Sequence, residues 1–154
     1  MNTLKLIFFI ILTTLLFANK VEITSDSMRA VNLEKEVHFI GNVTIKQQKS
    51  QLHGDKVIVY FDEKNETKMY EAIGSVTFAF EEEKSAYTGS AKRVVYYPAE
   101  SKYVLKGKAV IDDLINKRYV QGDLITLDMT TGNAQVEGNR KKPVKFIFEM
   151  EQKQ

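Results

Sequence analysis

Apolar and polar positions alternate with a period of two along most of the chain, and glycine recurs inside the apolar row. In Ala72-Ile73-Gly74-Ser75-Val76-Thr77-Phe78, residues Ala72, Gly74, Val76, Phe78 and Phe80 share one face, and Ile73, Ser75, Thr77 and Ala79 share the other. That pattern predicts a half-buried strand, and a glycine in mid-strand marks a bulge, a bend or a close backbone approach. The same phrase returns as Phe39-x-Gly41-x-Val43-x-Ile45, as Leu105-x-Gly107-x-Ala109-x-Ile111, and clipped as Val136-x-Gly138. A second phrase lies between the copies: Leu52-His53-Gly54-Asp55-Lys56-Val57, Tyr87-Thr88-Gly89-Ser90-Ala91-Lys92 and Val120-Gln121-Gly122-Asp123-Leu124-Ile125, with Ile23-Thr24-Ser25-Asp26-Ser27-Met28 as a serine variant. The markers fall at 25, 41, 54, 74, 89, 107, 122 and 138, and their midpoints fall on or beside turn-like residues. Such spacing predicts a meander whose legs run roughly over 20–31, 36–47, 51–61, 67–80, 85–97, 102–115, 118–129 and 134–149, each kinked halfway. Counted as two short strands per leg, this is an all-β fold of about sixteen strands. A sheet creased along a line of small residues folds over on itself, with apolar side chains facing inward from both halves. Gly, Asn and Asp punctuate too often for a helix longer than about two turns.

Parity names the inward residues. Val57, Val59 and Phe61 share a face, as do Val94 and Tyr96, Ile125, Leu127 and Met129, and Val144, Phe146 and Phe148. Around Val57 to Phe61 and Val94 to Tyr97 the legs are apolar on both faces. Crossed-sheet packing and an exposed interaction surface both explain that excess.

The N-terminus follows a different rule. Met1 to Lys5 is short and basic, Leu6 to Phe17 is apolar apart from Thr13-Thr14, and Ala18 follows. This is the pattern of a secretory leader cut near Ala18, and the apolar run is short for a membrane span of about 20 residues. The expected division is a leader over 1–18, one β domain over 19–150 and a short polar tail over 151–154. Kept uncleaved, residues 6–17 would instead be an N-terminal anchor. About 136 residues remain after residue 18, enough for one domain with a real core and too few for two. Cysteine is absent, so neither a disulfide nor a lipidated cysteine is available. An oxidising compartment permits disulfides without requiring them.

Formal charge is +2 for the whole chain, which gives no global field for nucleic acid or a membrane surface. The local excess Arg140, Lys141, Lys142 and Lys145 reads either as a solvated edge or as a contact for anionic ligand groups. Chemistry-bearing constellations are missing. His38 and His53 each stand alone in a strand, without a second ligand at metal-site spacing, so no metal and no cofactor is expected. Asp26, Asp55 and Asp123 recur just after each kink, where a short acceptor satisfies backbone groups. No phosphate loop, nucleophile elbow or Cys/His pair occurs, and the chain is not expected to be an enzyme. The aromatics interleave with β-branched residues and not with Lys/Arg at stacking spacing, which argues against nucleic acid. Two Asn-x-Thr triplets occur. Asn42-Val43-Thr44 lies inside a strand, whereas Asn65-Glu66-Thr67 lies in the long turn with Glu63 two residues ahead, the acceptor pattern that bacterial oligosaccharyltransferases favour.

The ordered set of phrases resembles the OstA-like, LptA-type family of periplasmic lipopolysaccharide-transport proteins. The residues that carry the resemblance are Val21-Glu22-Ile23-Thr24-Ser25-Asp26, Val37-His38-Phe39-Ile40-Gly41-Asn42-Val43-Thr44-Ile45, Gly54-Asp55-Lys56-Val57, Val104-Leu105-Lys106-Gly107-Lys108-Ala109 and Gly122-Asp123-Leu124-Ile125-Thr126. It runs from about Val21 to Phe148. It implies a folded-over, V-shaped antiparallel β-jelly roll of sixteen strands, open at both ends, that shields lipid A acyl chains in the periplasm. It also implies head-to-tail stacking of copies into a bridge, with an LptC-like inner-membrane protein at the N-terminal edge and an LptD-like outer-membrane protein at the C-terminal edge. The family's lipid contacts carry over onto Val21, Phe78 and Tyr96, and Pro98 stands where a further apolar contact would follow Tyr96. Joined to the parity reading, the candidate lipid-facing set is Val21, Phe39, Val43, Val57, Val59, Val76, Phe78, Val94, Tyr96, Leu105, Ile125 and Leu127. The candidate pairing edges are Val21 and Ile23 at one end and Val144, Phe146 and Phe148 at the other. Two rival readings are an LptC-like membrane-anchored conduit that keeps residues 6–17, and a structural β-solenoid with a solid core and no ligand.

Overall fold

A computed structural model describes residues 20–32 and 35–151 of the chain. The expected leader and its cleavage site near Ala18 lie outside the described residues. Ten strands form one antiparallel sheet: β1 (Glu22–Thr24), β2 (Ser27–Val31), β3 (Glu36–Gln47), β4 (Ser50–Phe61), β5 (Thr67–Glu82), β6 (Ser85–Tyr97), β7 (Lys102–Asp113), β8 (Arg118–Asp128), β9 (Asn133–Glu137) and β10 (Lys145–Phe148). Sheet order is β1-β3-β4-β5-β6-β7-β8-β10, with β2 also on β3 and β9 also on β8. The first and last legs are thus each split into two short strands that share one long neighbour. Every ladder is antiparallel, which removes the solenoid reading, since a solenoid climbs in one direction.

The legs and their kinks follow the sequence pattern, but the count is ten strands and not sixteen. The reason is local. In β3, β5 and β7 the crease is a bulge: Gly41-Asn42, Gly74-Ser75 and Gly107-Lys108 occupy the register gaps Ile40/Val43, Ile73/Val76 and Lys106/Ala109. Each pair sits in the left-handed region, Gly74 at φ +86° and Ser75 at +43°, for example. A bulge of this kind adds a residue, bends the strand and leaves the ladder intact on both sides. The long strands therefore pass through the crease unbroken. Only the outermost legs, hydrogen-bonded on one side, part into two strands there.

The neighbouring strand completes each bend. Asp26 lies against Gly41, Asp55 against Gly74 and Lys92 against Gly107, each leaning on the Cα where a side chain would otherwise stand. The Asn42 carboxamide donates to Asp26 Oδ2 at 3.2 Å, and Asn139 donates likewise to Asp123. Two of the three recurring aspartates, Asp26 and Asp123, thus accept from asparagine side chains at the crease, while Asp55 only packs on Gly74. Lys92 holds the equivalent place in β6, so the marker of that leg is Ala91-Lys92, two residues beyond the expected Gly89. Gly89 serves another end: it pairs with Phe78, and a Cβ there would fall 2.7 Å from the Phe78 ring carbon Cε1.

Turns are stapled by aspartates. Asp62 Oδ1 accepts from the backbone N–H groups of Lys64 and Glu66 at 2.8 and 3.0 Å, and Asp128 Oδ1 from those of Thr130 and Thr131 at 2.9 and 3.1 Å. Pro98 opens a single 3-10 turn, Pro98–Glu100, which ends at Ser101 with φ +48°. The eighth leg departs most from expectation. Between β9 and β10 the chain makes an excursion from Gly138 to Val144, closed by Asn139, whose Oδ1 accepts from the N–H groups of Lys141 and Lys142. Arg140, Lys141 and Lys142 ride on this excursion and are exposed.

One core spans both halves of the crease. Val43, Val57, Val76, Leu105 and Ile125 are fully buried, and Val59, Ala72, Ala91, Val94, Ala109 and Ile111 belong to the same cluster.

Candidate functional site

The inner face is built by register. On one side of the crease Ile23, Ile45, Leu52, Phe78, Gly89, Ile111, Val120 and Phe146 are successive cross-strand partners from β1 through to β10. On the other side Met28, Phe39, Val57, Ala72, Val94, Leu105, Ile125 and Val136 form a matching row from β2 to β9. Period-two pleating puts every member of a row on one face, and one bulge per glycine strand keeps both rows in phase across the crease. Neither row meets a polar side chain from one edge of the sheet to the other.

Depth varies along the legs. Of the predicted lipid-facing residues, Val43, Val57, Val76, Val94, Leu105 and Ile125 are buried near the crease, and Val59 is buried in the next row out, the row of Tyr96 and Leu127. Phe39, directly opposite Val57, is half-buried, as are Phe78 and Leu127, and all three pack against that cluster. Tyr96, also half-buried, stacks between Tyr70 and Tyr103, with ring centroids 6.1 and 4.3 Å away. Val21 precedes β1, exposed and outside the ladder. Parity therefore found the face, while the residues it left out of the site, Leu52, Tyr70, Tyr103, Ile111, Val120 and Val136, are identified by cross-strand register.

The tyrosine stack is the most perturbed part of this face. Burial, then the neighbouring Tyr96, pushes the Tyr103 phenol up to about 12. Burial, then Tyr70, raises Tyr96 as well. These phenols stay neutral over the whole physiological range and act as apolar surface with a polar tip.

The two ends of the sheet differ in exposure. At the N-terminal end β1 pairs, among the described residues, with β3 alone, and Ile23 is half-buried. At the C-terminal end β10 pairs, among the described residues, with β8 alone, and its Phe146 and Phe148 are 55% and 56% exposed with rings 5.6 Å apart. Val144 lies just before that strand and is also exposed. The two phenylalanines line an open hollow of about 420 Å³ with Asn116, Arg118 and Glu149. Beside it Asp113 is buried; burial raises its pKa, but hydrogen bonds from Asn116 and Arg118 outweigh this and hold it below the usual carboxylate value.

The outer face explains the legs that read as apolar on both sides. Ile58 and Val95 are buried there, under the Arg93–Glu71 ion pair at 2.7 Å and next to His38, which pairs with Glu36 at 3.0 Å. His53 contacts the Thr44 hydroxyl at 3.1 Å. Among the described residues no group of three or more His, Asp or Glu is placed to hold a metal ion, and no helix is long and apolar enough to cross a membrane.

Fold and inner face together define a folded-over β-jelly roll with an apolar lining and, among the described residues, one strand edge without a partner at each end. The model of the family described as LptA/(LptD N-terminal domain) LPS transport protein matches residues 22–133. The chain belongs to that family of lipopolysaccharide-transport proteins. Among solved structures it is similar to LptH from Pseudomonas aeruginosa, described as the LptA homologous periplasmic component of the conserved lipopolysaccharide transport device. The TM-score is 0.73 at 13% sequence identity, over 86% of this chain and 96% of that one. No curated protein matches the sequence.

Proposed function

We propose that the inner face carries the acyl chains of lipid A through the periplasm, and that copies join end to end through β1 and β10 into a bridge between the two membranes. The observation that supports this best is the pair of apolar rows that run from one free edge to the other. Each methylene moved from water onto such a surface is worth about 0.8 kcal/mol, so several acyl chains outweigh any polar contact to the sugar. A row of similar apolar positions without hydrogen-bonding groups also lets a lipid move along it over small barriers. The half-buried positions Phe39, Phe78, Tyr96 and Leu127 are where chains would enter, with the buried Val43, Val57, Val59, Val76, Val94, Leu105 and Ile125 beside them as the floor. The energy for movement would come from another component.

Strand addition at the free edges uses an unpaired ladder that is otherwise an aggregation hazard. In this reading Val21 and Ile23 face an LptC-like inner-membrane partner or the preceding copy. Val144, Phe146 and Phe148 face the next copy or an LptD-like outer-membrane partner. Residues 1–18 act as the export leader, 19–150 as the working domain and 151–154 as a tail.

Photo-crosslinking in cells tests the lipid path. A photoreactive residue at Phe78 or Tyr96 should capture lipopolysaccharide, and one at the outward, exposed Thr77 should not. Equal capture at Thr77, or none at the inward sites, would refute the reading. Phe78→Asp should abolish transport while the chain still folds; simple unfolding would point to a solid core.

A further inference from the structure

We propose that Asn65 is the acceptor for an N-linked oligosaccharide, attached after export, which rests on the periplasmic reading above. The tripeptide Asn65-Glu66-Thr67 carries the general acceptor pattern, and Glu63 supplies the acidic residue two positions ahead that bacterial transferases read. The turn between β4 and β5 presents these groups. Its backbone is closed without the side chains of Glu63 and Asn65: the Asp62 N–H donates to the Glu66 carbonyl at 2.9 Å, the Asn65 N–H donates to the Asp62 carbonyl at 3.0 Å, and Asp62 Oδ1 takes the N–H groups of Lys64 and Glu66. Glu63, Lys64, Asn65 and Glu66 are all exposed. Asn65 sits at φ +61°, and its carboxamide makes no hydrogen bond to any described residue.

The other tripeptide provides an internal contrast. Asn42 lies inside β3 with its carboxamide donating to Asp26 Oδ2, and the Thr44 hydroxyl is engaged by His53. Ile40, not an acid, stands two residues ahead of it. A transferase that reads side chains on a surface turn has access to residues 63–66, with Thr67 half-buried at the start of β5, whereas 40–44 lie within β3 between neighbouring strands.

The co-reactant is an oligosaccharide carried on a polyprenyl diphosphate. The Asn65 amide nitrogen bonds to the anomeric carbon of the first sugar, and the bond from that carbon to the diphosphate oxygen breaks. Polyprenyl diphosphate leaves, and the amide proton passes to a base on the transferase. The product hangs from the rim of the sheet between two interior strands. Both free edges, β1 and β10, and the inner face stay uncovered, so a glycan there is compatible with lipid carriage and strand addition.

The test is the intact mass of the full chain recovered from the periplasmic fraction of its own host, compared with variants from the same host so that N-terminal processing cancels. Wild type should exceed Asn65→Gln and Thr67→Ala by the mass of one oligosaccharide after correction for the substitution, and Asn42→Gln should keep the increment. Glu63→Gln, which leaves the acceptor and the Asp62 staple in place, should lower occupancy tenfold or more. An unmodified wild-type mass in the periplasmic fraction, or an increment that survives in Asn65→Gln, overturns the proposal. Recovery only in the cytosol overturns the periplasmic reading as well.

Discussion

Gly74 and Gly54 stand side by side at the crease, on β5 and β4, and alanine should have opposite effects at the two. At Gly74 two costs add. The backbone is at φ +86°, where an L side chain costs about 1–2 kcal/mol. A Cβ there would also lie 2.8 Å from both Cβ and Cγ of Asp55, which forces that side chain and its strand to shift. Overpacking of this kind costs about 1–3 kcal/mol. Gly74→Ala should therefore lose about 2–5 kcal/mol, a large share of the roughly 5–15 kcal/mol that holds a domain together. At Gly54 the backbone is not left-handed, and the nearest atoms to a new Cβ are Ile73 O at 3.5 Å and Val76 Cγ2 at 3.6 Å, ordinary contacts. There alanine should be neutral or stabilise by about 0.4–1 kcal/mol through the unfolded state. Urea unfolding of both variants measures the difference. The double variant Asp55→Gly/Gly74→Ala, which removes both the Cβ and the Cγ of the neighbour, should recover the packing part relative to Asp55→Gly alone and keep the backbone part. Equal losses at the two glycines, or no recovery in the double variant, would refute the account of the bend as a glycine bulge braced by its neighbour's side chain.

Two further outcomes concern titration. Tyr103 has its pKa raised in the folded state to about 12, so its contribution to stability is complete below the unfolded value of 10.0 and is lost as pH rises through about 12. Its phenolate absorbance should appear late in an alkaline titration of the native chain, and Tyr103→Phe should remove that late step. Asp113 is shifted the other way: its stabilisation is present above the unfolded value of 3.8 and fades as pH falls through the lower native one. Asp113→Asn should cost about 1–2 kcal/mol at neutral pH, and the gap to wild type in urea unfolding should close in acid.

Much of this fold is legible in the sequence because the sheet is one-sided: period two exposes the inner face, and glycine marks the bend. Pleat parity alone put Val57, Phe78, Val94 and Ile125 on one surface. It does not report whether a ladder survives a kink, and that is why ten strands look like sixteen. The bulge at Gly74-Ser75 bends β5 without breaking it, a property of hydrogen bonds to two neighbours that no single leg can display. Gly89 misleads for a different reason: it is small to seat the Phe78 ring, while the crease two residues on is made by Ala91 and Lys92, which carry no glycine signal. Depth is likewise invisible to parity. Val57 and Phe78 read alike, yet one is sealed at the crease and the other half-buried outside it. The Arg93–Glu71 pair that covers the outer face joins residues 22 apart in sequence, and only cross-strand register brings them together.

The crease is a device repeated once per pair of legs. Asp26 with Gly41-Asn42, Asp55 with Gly74-Ser75, and Lys92 with Gly107-Lys108 share one arrangement, and Asp123 with Gly138-Asn139 keeps its side-chain half. Because each pair is bent by the same means at the same height, the apolar rows stay in register from the first strand to the last. A row generated by repetition has no privileged position along it, and nothing in its construction requires it to stop at either edge. A copy added to β1 or β10 would sit one strand spacing away, about 4.7–4.9 Å, and would carry Ile23 or Phe146 onward into its own row. The sameness of the interior from strand to strand, which sets no position apart from the next, is the property that would let a filament of copies present a single continuous surface.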